Sequence, residues 1–191
     1  LELYDEISIS NEKKIDYLKQ AEESAFQDKR ITNTEGSSFI QDKSNFVLAN
    51  SLGFSMGYQS SIYSASCDVI AKSNGSMERD YEYTQKRFFS DLKPPVTLGN
   101  KAAERAIKKL NPKKIKSEKI PIIFEQRVAK SLLDPFANAI SASSFARGTS
   151  FLKDKLNKNI FSKDINIIDD PLISKAVGSQ IFDSEGVKSN K

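Results

Sequence analysis

Two strand-like segments on either side of Asn74-Gly75 constrain the fold of this chain more than any other feature. Tyr58–Lys72 is rich in serine, tyrosine and β-branched residues, and Met77–Gln85 alternates in side-chain type. An Asn-Gly pair between such segments is the strongest short-range signal for a β-hairpin. The alternation places Arg79, Tyr81 and Tyr83 on one face and Glu78, Asp80, Glu82 and Thr84 on the other. This pattern predicts an antiparallel meander with one solvated face.

Shorter strands are expected upstream of this hairpin. Ser37–Gln41 and Asn45–Ser51 have strand-like compositions, and Asp42-Lys43-Ser44 between them is typical of a turn. The sequence therefore predicts that the meander starts with these two segments and a turn.

Helices are predicted before and after the meander. The first spans about Asn11 to Gln27 behind a cap at Ser10 and Asn11, with apolar residues at helical spacing: Ile15, Leu18, Ala21 and Ala25. Thr97 is predicted to cap the second, which ends at Asn111-Pro112. Its apolar stripe consists of Leu98, Ala102, Ala106, Ile107 and Leu110.

The second half of the chain has weaker patterns. Ile120–Phe124 is a short apolar run consistent with a strand, and Val128 to Ser141 has the period of a helix that Pro135 would kink. Asn159–Ser162 and Ile165–Ile168 are predicted to be short strands.

The fold class that follows is α+β. Residues 1–115 would form an antiparallel β-meander flanked by helices, and residues 116–191 would form the start of a second α+β domain. The boundary lies in the basic stretch Lys113–Lys116. Because the chain begins at Leu1 and ends without a closing element, we expect it to be an internal piece of a longer protein.

Composition excludes several classes of protein. The chain has no histidine, which excludes most zinc peptidases, Ser-His-Asp hydrolases and Cys-His proteases. No apolar run approaches the roughly 20 residues of a membrane span. The single cysteine, Cys67, cannot form an internal disulfide, and the acidic N-terminus has no apolar signal core. We therefore expect a cytoplasmic protein.

Cys67 and the acidic residues are the first candidates for chemistry. Without a histidine to activate it, Cys67 is expected to be a half-buried strand residue. A local acidic group could bind a hard cation: Asp164, Asp169 and Asp170, with Asp183 and Glu185. Its spacing matches no EF-hand loop, and turn formation near Pro171 is the favoured interpretation.

Basic and hydroxyl-bearing residues are the remaining candidates. One basic region could contact phosphates: Lys101, Arg105, Lys108, Lys109, Lys113, Lys114, Lys116 and Lys119. Glu104 and Glu118 interrupt it, no aromatic residue is interleaved, and the net charge is only +4, so a solvated surface is favoured. The serines Ser60, Ser61, Ser64 and Ser66 have no visible base; a polar strand could instead pair with an extended peptide, although a solvent-facing sheet is somewhat favoured.

Six segments, read in order, resemble one protein family. They are Arg30–Gly36, Leu48–Phe54, Arg79–Tyr83, Ser150–Leu156, Asp169–Pro171 and Phe182–Gly186. They look like the "I.NSEG", "LANS.GF", "RDYWY", "SFL.DKLG", "DDP" and "FD.EG" segments of the TldD/PmbA proteins, which are also called modulators of DNA gyrase. "RDYWY" and "SFL.DKLG" are similar to the PmbA (TldE) branch in particular.

The resemblance implies a subunit of a two-subunit cytoplasmic metallopeptidase. The TldD-type subunit would carry zinc on a His-Glu-x-x-x-His helix, and the PmbA/TldE-type subunit would be its partner without that site. The implied substrates are unfolded or flexible peptides, including precursors of modified antibacterial peptides. Family members also extend beyond both ends of this chain, so an N-terminal domain and most of a C-terminal sheet domain would lie outside it.

The zinc motif of the TldD-type chains can be placed on this sequence by its Gly-Thr-Ser segment. If Gly148-Thr149-Ser150 matches that segment, an ungapped count puts Leu133, Asp134 and Asn138 where His, Glu and His would stand. A leucine cannot bind zinc, and an asparagine is a weak oxygen ligand. We therefore expect no catalytic residue and no metal ligand in this chain, and zinc only in its partner.

The expected partners are a TldD-like subunit and an unfolded peptide, with no membrane and no nucleic acid. Two alternatives remain open. The first is an independent hydrolase that uses carboxylates, for which the candidates are Asp134, Asp164, Asp169 and Asp170. The second is a nucleic-acid- or gyrase-associated binding module based on Lys101–Lys119.

Overall fold

The computed structural model describes residues 1–191, which form two compact units. One unit contains residues 1–113 and 169–191, and the other contains residues 114–168. In chain order the regular elements are α1 (Asn11–Ala25), β1 (Ile31–Ala49), β2 (Ser55–Ser73), β3 (Ser76–Lys86), α2 (Pro95–Lys109), α3 (Gln126–Ala129), α4 (Leu133–Ile140) and α5 (Ala142–Ala146). The domain boundary at residue 115 stays a prediction.

A three-stranded antiparallel sheet in the order β1-β2-β3 organises the first unit. The predicted hairpin is confirmed: Ser73 pairs with Ser76, and Asn74 and Gly75 have φ values of 50° and 80°. Two successive positive φ values are those of a turn whose twist matches that of the strands, which explains the Asn-Gly pair.

The predicted turn at Asp42-Lys43-Ser44 is wrong. These residues lie inside β1, which pairs with β2 without interruption from Ser37 to Ala49. Polar side chains are tolerated there because β1 is an edge strand with mostly exposed residues. The Lys43 ammonium also donates to the Ile7 carbonyl oxygen at 2.8 Å. Pairing along β2 therefore overrides a local turn preference.

Helices α1 and α2 cover one face of the sheet and form the core with it. The side chains in contact there are mostly small: Ala21, Ala25, Ala65, Ala71, Ala102 and Ala106 are all almost fully buried. Gly99 of α2 lies directly against α1, since a Cβ built on it would meet the Ala21 carbonyl oxygen at 1.8 Å. Small residues thus let the two helices approach closely.

Both helices predicted for this unit are present, but one of the expected core residues and one of the expected helix starts are wrong. Ser10 caps α1 by accepting from the Lys13 amide at 3.3 Å, as predicted. Ile15, expected in the core, is 51% exposed, and Tyr17 is buried instead. Helix α2 begins at Pro95 rather than behind Thr97, because proline is favoured in the first turn, where its missing N–H is not needed. It ends next to Asn111, which adopts a left-handed φ of 57°.

The second unit is less regular than predicted. The strands expected at Ile120–Phe124, 159–162 and 165–168 are wrong, because these segments pair with no other strand. The helix predicted over Val128–Ser141 is present as α3, a 3-10 turn at Lys130–Leu132, and α4. Pro135 lies in the first turn of α4, where its ring does not disrupt a helical hydrogen bond.

None of the helices combines the length and apolarity that crossing a membrane would require.

Candidate functional site

Helix α4 contains the three positions at which the sequence analysis placed the zinc motif of TldD-type chains. Leu133, Asp134 and Asn138 all lie on it and are exposed to solvent. Leu133 and Asp134 are the first two residues of α4, and Asn138 lies in the following turn. The side chains present do not fit a zinc ion, because Leu133 has no donor atom and Asn138 offers only an amide. No group of three or more His, Cys, Asp or Glu side chains in the structure is arranged to hold a metal ion.

Ser150 sets the position of α4 within its unit. Its hydroxyl donates to the Ala139 carbonyl oxygen at 2.7 Å and accepts from the Leu152 amide at 3.0 Å. Ser150 and Ala139 are both buried, whereas most side chains of this unit are exposed. The Gly-Thr-Ser segment used to place the zinc motif therefore contacts α4 directly.

The acidic residues stabilise turns. The Asp183 carboxylate accepts from the backbone amides of Glu185 and Val187, both at 2.9 Å. The Leu172 amide and then the Lys191 ammonium hold the pKa of Asp170 below its usual value. Asp169, Asp170 and Asp183 line a cavity of about 470 Å³, while Asp164 lies in the other unit. The favoured interpretation, turn-forming aspartates, matches these contacts.

Cys67 and the serines of β2 are held in the sheet. Cys67 is fully buried, and burial raises the pKa of its thiol, so little thiolate forms. Ser60 and Ser66 pair with hydroxyls of β1 at 2.9 and 3.0 Å. Ser61 is buried, accepts from the Asp5 amide at 2.9 Å, and donates to the Arg87 carbonyl oxygen at 2.7 Å. These contacts are structural.

The basic residues of α2 are largely neutralised by carboxylates. Arg105 pairs with Glu82, and Lys109 lies 2.8 Å from the Asp80 carboxylate. Lys101 and Lys108 both bind Glu104, which holds the pKa of that carboxyl at about 2. This helix therefore presents much less positive charge than its sequence suggests.

The two faces of β3 are confirmed, but their assignment is unexpected. Asp80, Glu82 and Thr84 face the helices and are buried, whereas Tyr81 on the other face is exposed. Glu82 is accommodated because Lys93 lies 2.7 Å from one carboxylate oxygen and Arg105 binds the other. The pairing cations come from outside β3, so the alternation alone does not reveal the buried face.

The tip of the β1–β2 hairpin packs against residues 169–191. Phe182 is 4% exposed, and three aromatic rings surround it, with centroids at 5.9 Å for Phe46, 5.1 Å for Phe54 and 5.5 Å for Tyr58. Gly186 also approaches Phe54, since a Cβ there would lie 3.0 Å from its ring. Segments 48–54 and 182–186, far apart in sequence, thus meet in the fold.

Arg87, which directly follows β3, binds segment 169–191 through hydrogen bonds. Its guanidinium donates to the carbonyl oxygens of Ala176 (2.8 Å), Val177 (2.7 Å) and Ser179 (2.8 Å). The side chain is buried, and loss of hydration lowers its pKa. Sequence analysis did not single out Arg87, because its partners are backbone atoms about 90 residues away.

Models of two domains of one protein family match the chain. The PmbA/TldA metallopeptidase central domain matches residues 4–110, and the PmbA/TldA metallopeptidase C-terminal domain matches residues 117–191. The chain belongs to the PmbA/TldD family.

Curated relatives of this PmbA/TldD-family chain are longer than it is. It is 41% identical to the metalloprotease PmbA of Escherichia coli O157:H7 over 192 residues, which is 100% of this chain and 43% of that protein. It is 39% identical to the metalloprotease PmbA homologue of Haemophilus influenzae, covering 99% of this chain and 42% of that protein. The chain thus spans less than half the length of these relatives.

Solved structures share the fold. A Bacteroides thetaiotaomicron protein named as a candidate modulator of DNA gyrase superposes with a TM-score of 0.91 at 31% identity, over 99% of this chain and 44% of that one. A Thermotoga maritima protein with the same designation gives a TM-score of 0.92 at 28% identity, over 100% of this chain and 44% of that one. These similarities confirm the predicted family and the α+β fold class.

Proposed function

We propose that this chain is part of a PmbA/TldE-like subunit that takes part in the proteolysis and maturation of unfolded peptides and depends on a TldD-like partner for zinc. The observation that carries the proposal is the chemistry of α4. If Gly148-Thr149-Ser150 matches the Gly-Thr-Ser segment of the TldD-type chains, Leu133, Asp134 and Asn138 on α4 take the positions at which zinc chemistry would need two imidazoles and a carboxylate. A carboxylate without a metal-bound water to activate has no role as a general base in such a mechanism.

The surface of the sheet supports a role in holding a peptide. The face of β2 opposite the helices carries half-buried polar side chains, including Ser64, Ser66 and Asp68. β1 is an edge strand of 19 residues. Edge strands of this kind can bind an extended peptide through backbone hydrogen bonds, independently of its sequence. Such binding suits an unfolded substrate in the cytoplasm, which is where we place the protein.

The ion pairs of α2 favour the peptidase role over a nucleic-acid- or gyrase-binding role. Four of the eight cations of the basic region are bound to Asp80, Glu82 or Glu104, which halves the number left for phosphate contacts. The carboxylate hydrolase gains no support either, because Asp170, one of its four candidates, accepts from the Leu172 amide and pairs with Lys191.

The decisive experiment uses the full-length protein that contains this chain. It is mixed with the TldD-type protein of the same organism, and an unfolded peptide is followed by mass spectrometry, with each protein alone as a control. We expect cleavage only in the mixture, and zinc in the partner alone by elemental analysis. Stoichiometric zinc and peptide cleavage by the full-length protein on its own would refute the proposal.

One variant separates the carboxylate hydrolase from the accessory subunit. In the full-length protein, Asp134, Asp164, Asp169 and Asp170 are changed together to asparagine. We expect partner-dependent cleavage to be largely kept, provided that circular dichroism shows an unchanged fold. Loss of cleavage in a folded variant would support the carboxylate hydrolase instead.

A further inference from the structure

The turn between β2 and β3 carries a reactive pair of residues. Asn74 and Gly75 are both exposed, and their φ values are 50° and 80°. The side-chain amide carbon of an asparagine lies within reach of the backbone nitrogen of the next residue, and attack by that nitrogen closes a succinimide ring. Glycine hinders this attack least, because it has no Cβ. The pair that shapes the hairpin is therefore also a pair with little steric protection against ring closure.

The atoms that would react are free in the structure. Neither the Gly75 amide nor the Asn74 side chain forms a hydrogen bond, whereas Ser73 and Ser76 on either side of them pair with each other. A Cβ built on Gly75 would meet nothing within 4 Å. The nitrogen therefore has no hydrogen bond to break before it reacts, and the turn leaves room for the Asn74 side chain to reach it.

The two other asparagines with positive φ lack this combination. Asn111, with a φ of 57°, precedes Pro112, whose nitrogen carries no hydrogen and cannot close the ring in this way. Asn157, with a φ of 60°, precedes Lys158. The Lys158 amide donates to the Lys155 carbonyl oxygen at 3.0 Å, and its side chain adds the steric hindrance that glycine lacks. Among these three turns, only that of Asn74 leaves the attacking nitrogen both unhindered and unbonded.

We propose that Asn74-Gly75 is a site of spontaneous deamidation. The Gly75 nitrogen forms a bond to the side-chain amide carbon of Asn74 while the bond from that carbon to the side-chain nitrogen breaks. Ammonia leaves with the proton of the Gly75 amide. Water then opens the succinimide: attack at the side-chain carbonyl gives aspartate, and attack at the main-chain carbonyl gives isoaspartate, in which the chain runs through the former side chain. The reaction consumes only water.

The isoaspartate product would loosen this end of the sheet. Its main chain contains an additional methylene group, so it cannot keep the tight turn whose twist matches the two strands. The Ser73–Ser76 pair closes the hairpin, and the Ser76 hydroxyl accepts from the Asn111 amide at 3.0 Å. Deamidation is therefore expected to weaken both the last pair of the β2–β3 ladder and its contact with the residues that follow α2.

The test follows the full-length protein that contains this chain during incubation at mildly alkaline pH. Peptide mapping by mass spectrometry measures the converted fraction of each asparagine, and electron-transfer dissociation distinguishes aspartate from isoaspartate. Conversion of Asn74 is expected to be at least about ten-fold faster than conversion of Asn157 in the same sample. Equal rates at the two positions, or an Asn74 that remains unchanged, would overturn the proposal.

Asn74→Gly is the matched variant, because Gly-Gly also suits a turn with two positive φ values and has no side-chain amide. After the same incubation, hydrogen–deuterium exchange over residues 70–79 is expected to be faster in wild type and unchanged in Asn74→Gly. An equal increase in both proteins would show that the sheet loosens without deamidation, contrary to the proposal. Because the reaction needs neither zinc nor a second subunit, either result leaves the proposed function untouched.

Discussion

The ring of Phe182 packs edge-on against the ring of Phe54, with centroids 5.1 Å apart and planes at 76°. Phe54 lies just after the turn of the β1–β2 hairpin, and Phe182 lies in the last part of the chain, so this contact joins two distant segments. The edge-to-face geometry aligns the positive rim of one ring with the negative face of the other. Together with the contacts of Phe46 and Tyr58, it packs the hairpin against segment 169–191.

Phe182→Ala should therefore release segment 169–191 from the hairpin. Removing a buried phenylalanine typically costs about 3–5 kcal/mol, and here the loss should be local. Hydrogen–deuterium exchange is expected to show faster exchange over 180–189 and 46–58 than in wild type. Phe151→Ala is the control, because Phe151 is 68% exposed. Unchanged protection of both segments in Phe182→Ala would contradict the contact.

Arg87→Met should destabilise the same segment for a different reason. Methionine fills a similar volume but donates no hydrogen bond to the carbonyl oxygens of Ala176, Val177 and Ser179. The free energy of unfolding should fall by about 3 kcal/mol, as expected when buried acceptors lose a charged donor. A urea titration followed by circular dichroism measures it. The free energy of unfolding should fall nearly as much in Arg87→Lys, because a single ammonium lacks the planar fork of donors. Wild-type stability of Arg87→Lys would show that the three hydrogen bonds of the guanidinium are not needed.

Gly99→Ala should destabilise the core despite the higher helix propensity of alanine. The new methyl group would meet the Ala21 carbonyl oxygen at 1.8 Å, so α1 and α2 would have to move apart. We expect a loss of at least about 1 kcal/mol in thermal or urea unfolding. Gly178→Ala is the matched control, since a Cβ at Gly178 meets nothing within 4 Å. Equal stability of the two variants would show that α1 and α2 are not in close contact at Gly99.

The Asp28–Arg30 pair should be visible in an acid titration. The Arg30 guanidinium binds the carboxylate through two hydrogen bonds of 2.9 and 2.6 Å and lowers the pKa of Asp28 to about 2. A carboxyl whose folded pKa is lowered stabilises the protein above its unfolded value, near 4, and loses this contribution as the pH falls toward 2. Because the pair is exposed, the effect on stability should be small.

Carbon-13 NMR of the side-chain carboxyl measures the pKa of Asp28 directly. In Arg30→Gln we expect the pKa to rise toward 3.8, its ordinary value. Lys29→Gln leaves the pair intact and serves as the control. A pKa that stays near 2 in Arg30→Gln would show that another group is responsible.

Local sequence signals predicted the elements whose partners lie nearby. Asn74-Gly75 predicted the hairpin because asparagine and glycine are among the few residues that readily adopt two successive positive φ values. Ser10 predicted the start of α1 because its capping hydrogen bond is local and joins it to Lys13, only three residues away. The strands expected at 120–124, 159–162 and 165–168 failed because an apolar run does not specify whether a pairing strand exists.

The sequence by itself determined the family, the α+β class, and the absence of an imidazole anywhere in the chain, since ordered motifs and composition are independent of folding. The tertiary structure alone decided which face of β3 is buried, because Lys93 and Arg105, outside β3, bind the Glu82 carboxylate. It alone showed that Arg87 and Phe182 fasten the last segment to the sheet. Such contacts depend on atoms brought together by the whole chain, and no local pattern of residues encodes them.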